Sequence, residues 1–410
     1  MMCFMARSMS LMTAVEGLEN DGEETGADSD AIEVPGEVRD SEDDVEGSEE
    51  VLDEAGDDVD TLEDIKDVLE EAADNGEGID DTAAKLVEIT TEAIYARLGF
   101  GETKIVGALE GFKNPRSRIA ATRYAAEAIG DTVSRVWEAI KKFFKDLVEK
   151  IKGLWKTYMT AVGRLKRGAE ALRRKAAATV GAKKEETFED KSLAEKILGK
   201  DGKINIGTAL DNTIKAIEEV GKSKDRIAEI IDDIKGGKEL EGKIKMALDA
   251  SGHVSASREH KAGADAGDVL LGNKAIEYYL DAGAEKVSVD MFVSSVDNGK
   301  EDAEIPVADK RELEEYCSKV IKLCNAVSAS KERKEKADKR TEKALDKLSR
   351  KPKAGASDGE KADARDARIV REMLRVSSKM SYLPEKIAIA GGHTVLSYVT
   401  KCLRMHGKEA

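Results

Sequence analysis

The chain predicts a mostly α, extended helical protein, and three observations carry that expectation. Ala, Glu, Lys and Leu are abundant, which favours helix. Aromatic residues make up only 4% of the 410 residues and there are five prolines, a composition unsuited to a sandwich, a propeller or a proline-rich linker protein. Apolar residues also recur at the helical period over one very long stretch. No apolar run reaches 18 residues, so no membrane-spanning helix is expected. The formal net charge of −16 conceals an asymmetry: residues 1–80 sum to −26, residues 81–110 to −2 and residues 111–184 to +13. An acidic leader therefore precedes a basic segment.

In chain order, the first twelve residues read MMCFMARSMSLM. Arg7 and Ser8 interrupt their apolar character, so they do not form a secretory signal. A short docking peptide ending near Ala14-Val15-Glu16 is the alternative. Residues 17–58 are rich in Asp, Glu, Gly and Ser, with scattered Val, Ile and Leu. They bury too little apolar surface to offset their ordering entropy, so 1–58 is expected to be a disordered acidic leader and a candidate propeptide.

Residues 60–98 predict a helical pair. Leu62, Ile65, Leu69 and Ala72 step by three and four, and Asn75-Gly76-Glu77-Gly78 breaks the pattern. Asp80 or Asp81 supplies an N-cap for a second helix, which carries Ala83, Leu86, Val87, Thr90, Ile94 and Leu98. Asn114-Pro115 is a good helix start. From there apolar or small residues recur from Ile129 and Val133 through Ile151, Leu154 and Tyr158 to Leu172 and Ala176, one stripe on a helix of about 60 residues. Gly130, Gly153, Gly163 and Gly168 are the places where it would bend or split. Its polar face holds Lys141, Lys142, Lys145, Lys150, Lys152, Lys156, Arg164, Lys166, Arg167, Arg173, Arg174 and Lys175.

Beyond the basic helix, which completes a region spanning 60–184, residues 185–350 read as shorter helices divided near Gly236-Gly237. A strand is expected at 286–293, in a small insertion near 270–310. A helix follows over 309–350, exposed from 330 on. Residues 352–362 form a polar linker, and 363–410 a helical pair broken near Pro384 or Gly391-Gly392.

Catalytic and ligand-binding motifs are missing from the sequence. Gly221-Lys222-Ser223 lacks the upstream glycine and strand of a phosphate loop. His253, His260, His393 and His406 lack metal-ligand spacing and read as surface or linker residues. The acidic leader fits no calcium loop. Neither a nucleophile elbow nor a kinase or deaminase signature occurs. The expectation is no enzyme, no cofactor, no metal and no small-molecule substrate. Cys317 and Cys324 are seven residues apart, about 10 Å along a helix, too far for a disulfide. Reduced, half-buried thiols in a reducing cytoplasm are expected.

The basic helix has three readings. It packs its stripe in a core and solvates its lysines; it contacts nucleic-acid phosphates without sequence preference; or, with Trp137, Phe143, Phe144 and Trp155, it lies on a membrane or partner surface through its apolar face. The tethered −26 leader would compete with phosphate for the helix. On that view a chain beginning near residue 81, net +10, binds DNA more tightly than the whole.

Several words in the sequence resemble internal head proteins of large tailed bacteriophages. They are D-x-L-E-E-A-x-x-N-G-E-G-I from Asp67 to Ile79, E-A-I-Y-A-R-L-G from Glu92 to Gly99, S-R-I-A-A-T from Ser117 to Thr122, A-x-E-A-I-G from Ala125 to Gly130 and W-E-A-I-K-K from Trp137 to Lys142. The similarity is clearest over 60–180 and weaker through Gly272-Asn273-Lys274-Ala275-Ile276. The resemblance implies a virion structural protein inside the head, alongside packaged DNA and capsid or prohead core proteins, and in the host cytoplasm before assembly. It also implies maturation by a prohead protease cutting after glutamate. Small-x-Glu or aliphatic-x-Glu sites end at Glu16, Glu50, Glu54 and Glu71.

Overall fold

The computed structural model describes residues 35–98, 110–179, 181–232, 239–249, 254–257, 269–282, 287–299, 303–347 and 358–406. Its helices are α1 (Gly36–Asp74), α2 (Asp81–Arg97), α3 (Glu110–Lys113), α4 (Pro115–Ala178), α5 (Lys191–Ile197), α6 (Ile206–Asp232), α7 (Glu239–Asp249), α8 (Lys310–Lys347), α9 (Asp358–Met380) and α10 (Leu383–Met405). Its strands are β1 (Thr187–Phe188), β2 (Val254–Ala256), β3 (Lys274–Ala282), β4 (Val287–Ser295) and β5 (Ile305–Pro306). The mostly α class holds. Strands β2-β3-β4 form one small sheet, with β2 parallel and β4 antiparallel to β3, and β1 pairs with β5.

Helix α4 is the axis. It is continuous for 64 residues, about 96 Å at 1.5 Å per residue, and none of its glycines splits it. Pro115 opens it, where a missing N–H removes no helical hydrogen bond. Its apolar side is buried from Ile129 to Ala176, Trp155 and Phe144 included. Helix α1 runs antiparallel along it: Asp74 meets Arg123, Ser48 meets Lys150 and Glu42 meets Tyr158. Helix α8 also runs antiparallel to α4, from the Lys166–Asn325 contact to Lys334 over the Trp155 ring. Helix α6 lies parallel to α8, and α9 packs against β4. The turn after α1 uses Gly76 and Gly78 at positive φ, and Asp80 caps α2 by accepting from Ala83 N–H at 2.8 Å.

Four expectations need correction. Residues 36–58, expected to be disordered, are the first half of α1. Val38, Val45, Leu52 and Val59 recur every seven residues and are buried, the spacing of a helix seam. The companion positions are Glu42, Glu49, Gly56 and Glu63, so carboxylates occupy three of the eight seam positions and disguise it. Each of the first three finds a donor or a counterpart. Tyr158 donates to Glu42 at 2.8 Å, Tyr382 donates to Glu49 at 2.8 Å, and Gly56 leaves room for the Arg371 side chain, which pairs with Asp60 at 2.6 Å. Residues 1–34 lie outside the described residues.

The second correction concerns 330–347. Lys334, Asp338 and Thr341 are buried there, because α4, α6 and α10 surround that part of α8. Third, β3 precedes the expected strand. Fourth, His393 and His406 are buried in and beside α10, His406 with a ring nitrogen 3.1 Å from the Ala308 carbonyl, while His253 and His260 lie outside the described residues. The linker expected at 352–362 becomes helical from Asp358, and α9 and α10 are divided at Ser381-Tyr382, just before Pro384. Cys317, Cys324 and Cys402 are free and buried; burial pushes the Cys317 and Cys324 thiols up to about 12.

A charged network sits where α4, α6, α8 and α10 converge. Lys334 and Glu385 are fully buried and pair at 2.6 Å. Ser330 donates to Glu385 at 2.9 Å, and Lys224 bonds both Asp338 and Ser381. Burial pushes the Lys334 ammonium down, and Glu385 opposes that. Removing one member strands a buried charge, at a cost of about 3–5 kcal/mol, whereas an apolar pair of similar volume is close to neutral. Chemical denaturation should therefore find Lys334→Met less stable by about 3–5 kcal/mol and Lys334→Met with Glu385→Leu restored most of the way.

Burial raises Glu49 to about 7, with the Tyr382 hydrogen bond and Lys379 opposing it and Asp53 and Glu46 adding to it. The unfolded chain releases this proton near the ordinary 4.5. The contribution of Glu49 to stability thus falls as pH rises from about 4.5 to about 7. Denaturant melts across that window should show a smaller loss of stability for Glu49→Gln than for the unaltered protein. Parallel pH profiles would remove Glu49 as the cause.

Candidate nucleic-acid interface

The twelve basic residues of α4 separate into three groups. Lys141 is only 6% exposed and pairs with Glu138 at 2.9 Å, so it belongs to the packing. Lys150, Lys152 and Lys166 are engaged by neighbours. Lys150 donates to Ser48 Oγ at 2.6 Å and to the Asp44 carbonyl at 3.3 Å; Lys152 pairs with Glu149 at 2.6 Å; Lys166 donates to Asn325 at 3.0 Å. The hydrogen bond and charge of Glu149 push the Lys152 ammonium up. The remaining eight, Lys142, Lys145, Lys156, Arg164, Arg167, Arg173, Arg174 and Lys175, are exposed. Lys145 and Lys175 have interactions of their own; Lys142, Lys156, Arg164, Arg167, Arg173 and Arg174 form no ion pair among the described residues.

Within this third group, Lys142, Lys145, Lys156, Arg167 and Arg174 follow steps of 3, 11, 11 and 7, each close to a whole number of turns at 3.6 residues per turn. They form one ridge on the side of α4 away from its buried stripe. Over 32 residues the ridge is about 48 Å long, the rise of about 14 base pairs of duplex. The helix beneath it is clamped by α1 and α8, so the cations are spaced by a rigid rod.

The same packing bears on the reading in which the helix binds through its apolar face. Trp155 and Phe144 are buried, and Trp137 and Phe143 are half-buried against the core. The apolar face is therefore occupied by α1 and α8, and a membrane surface would meet only the basic side. Helix α1 carries nineteen carboxylates against Arg39 and Lys66. It flanks α4 without covering the ridge. At the usual interaxial distance of about 8–10 Å, it lies within one screening length at physiological salt. A chain beginning near residue 81 would lack α1 and expose the Ile129–Tyr158 stripe, so its DNA affinity would report a damaged fold as well as a lost acidic neighbour.

Among the described residues no group of His, Cys, Asp and Glu is placed to hold a metal ion, and no helix is long and apolar enough to cross a membrane. The fold and the ridge define a helical protein organised around one long, one-sidedly basic rod. The chain belongs to the phiKZ-like phage internal head proteins, whose family profile matches residues 24–407. It is accordingly a phage structural protein of the head interior. No curated protein and no solved structure matches it.

Proposed function

We propose that this protein is a non-enzymatic component of the head interior that touches packaged DNA through the outward ridge of α4. The observation that carries the reading is the ridge itself: cations in register on a rigid helix, with its core face already filled. The contact is weak, sequence-independent and salt-sensitive, because α1 holds negative charge close by. Enclosure with the genome offsets low affinity through high local concentration. Capsid or prohead core proteins are the partners during assembly, and the chain resides in the host cytoplasm before it.

The test is filter binding of duplex DNA across a salt series. Replacing Lys142, Lys156, Arg167 and Arg174 with Gln should flatten the log–log salt dependence by about one unit per residue lost. The same exchange at Lys322, Lys336, Lys339 and Lys343 of α8 removes equal charge elsewhere and should have a smaller effect. Equal losses would reduce the ridge to net charge alone.

Maturation by a glutamate-specific head protease, on this reading, trims the chain ahead of α1. Proteases require extended backbone, and Glu50, Glu54 and Glu71 are in the helix. Glu16 precedes it, as does Ala31-Ile32-Glu33, which has the same small-x-Glu pattern. Mass spectrometry of purified virions should place the mature N-terminus between residues 17 and 36, with α1 retained. An N-terminus at 51, 55 or 72 would overturn this.

A further inference from the structure

A second surface lies far from the ridge in chemistry. A cleft of roughly 1340 Å³ opens between α1, α10 and the β4 strand. One wall is the acidic side of α1, where Glu46, Glu49, Glu50 and Asp53 line it. The opposite wall is the outer edge of β4, through Met291, Val293 and Ser295. The walls meet at one end, where Arg375 reaches Asp53 at 3.6 Å and Asp290 at 3.4 Å.

The β4 edge carries unused backbone groups. Among the described residues, strand β4 pairs with β3 on one side only. Val289 N–H donates to Glu372 at 3.2 Å, and its carbonyl accepts from Arg375 at 3.0 Å. Both groups of Val289 therefore point away from β3, and α9 caps them. At the other end Val296 N–H donates to the Asn273 carbonyl at 2.8 Å, which makes the adjoining Lys274–Ser295 pair a non-hydrogen-bonded one. The two-residue period then turns the N–H and C=O of Met291, Val293 and Ser295 outward as well. Asp290 takes the Met291 N–H at 2.8 Å. Val293 and Ser295 have outward groups without a partner among the described residues, on a strand edge that lines the cleft. Such an edge is a template for another strand.

The opposite wall specifies the charge of what is added. Glu49 is 5% exposed. One of its carboxylate oxygens accepts from Tyr382 and the other has no hydrogen-bond partner. A buried carboxyl with an unfilled acceptor gains from a cation. Lys386 already serves Glu42 and Glu46, and Lys379 is bonded to Asp290, so Glu49 and Glu50 have no ion pair among the described residues. Burial also holds the Glu49 carboxyl up at about 7, against the Tyr382 hydrogen bond and the charge of Lys379.

We propose that this cleft docks an extended, lysine- or arginine-bearing segment of a partner protein, added as a strand to the β4 edge with its basic side chains turned to the carboxylates of α1. The surface is separate from the DNA ridge, and either can stand without the other.

Three labelled nonapeptides titrated onto the full chain by fluorescence anisotropy test it. One alternates lysine with valine, one lysine with proline, and one glutamate with valine. The lysine–valine peptide should bind at least about tenfold more tightly than either other. Lysine–proline has the same charge but lacks half the strand N–H groups, and glutamate–valine forms strands with the wrong charge. On the protein, Val293→Pro removes an outward N–H while leaving the β3 ladder intact. It should weaken binding of the lysine–valine peptide about tenfold, as should Glu49→Gln combined with Glu50→Gln. Equal binding of the lysine–proline peptide would overturn the strand addition. Equal binding of the glutamate–valine peptide would overturn the charge assignment, and no binding of the lysine–valine peptide would overturn both. The peptide comparison decides the matter even if Val293→Pro fails to fold.

Discussion

The structure depends on a seam in which carboxylates have taken seats normally held by apolar side chains. Where α1 lies on α4, Val38, Val45, Leu52 and Val59 alternate with Glu42, Glu49 and Glu63, all buried. A carboxyl withdrawn from water needs donors, and α4 alone supplies too few. Tyr158 of α4 serves Glu42 and Arg97 of α2 serves Asp58, while the C-terminal segment supplies Tyr382 to Glu49, Arg371 to Asp60 and Lys386 to Glu46. The polar part of the seam thus obliges α9 and α10 to return over α1. Contacts separated by more than 300 residues hold the first described helix in place. Loop-closure entropy opposes such pairings until late in folding, so α1 depends on the chain end for its docking even though its own local propensity is high.

Much of this was legible in the sequence, and the illegible parts share a cause. The start of α4 at Pro115, its unbroken apolar stripe, the Asp80 cap and the β4 strand follow from local pattern and capping chemistry, which need no distant partner. The first half of α1 did not stand out because composition dominates there: nineteen carboxylates in one helix suggest a solvated chain, and the seven-residue rhythm of Val38, Val45, Leu52 and Val59 is sparse beside them. Lys334 and Asp338 were hidden for the same reason. A charged residue predicts exposure until the partner is known, and Glu385 and Lys224 come from remote parts of the chain. Of the basic residues on α4, spacing alone finds the ridge of Lys142, Lys156, Arg167 and Arg174. It cannot find that Lys141 is buried or that Lys150 is held by α1.

The distribution of charge has a further physical meaning. Two helices of opposite sign, α1 and α4, share one folded unit, and Arg123 of α4 pairs with a carboxylate of α1, Asp74. Most of the opposite charges are turned outward in different directions instead of neutralising each other. The molecule has a cationic side for polyanions and, across the cleft from the β4 edge, an acidic wall on α1. A formal net charge of −16 describes neither.

The pair Gly391-Gly392 in the middle of α10 shows how packing can imitate chemistry. A Cβ at Gly391 would lie 2.2 Å from Leu271 Cβ, and one at Gly392 would lie 2.6 Å from a Leu165 methyl. The first contact presses α10 onto the turn before β3, and the second presses it onto α4, so the two glycines pin the sheet insertion to the central rod. A glycine pair beside a buried histidine, at the margin of a large cleft, looks like the fingerprint of a reaction. Here its origin is steric, and the same doublet in a related chain would mark where two layers of the molecule are riveted together.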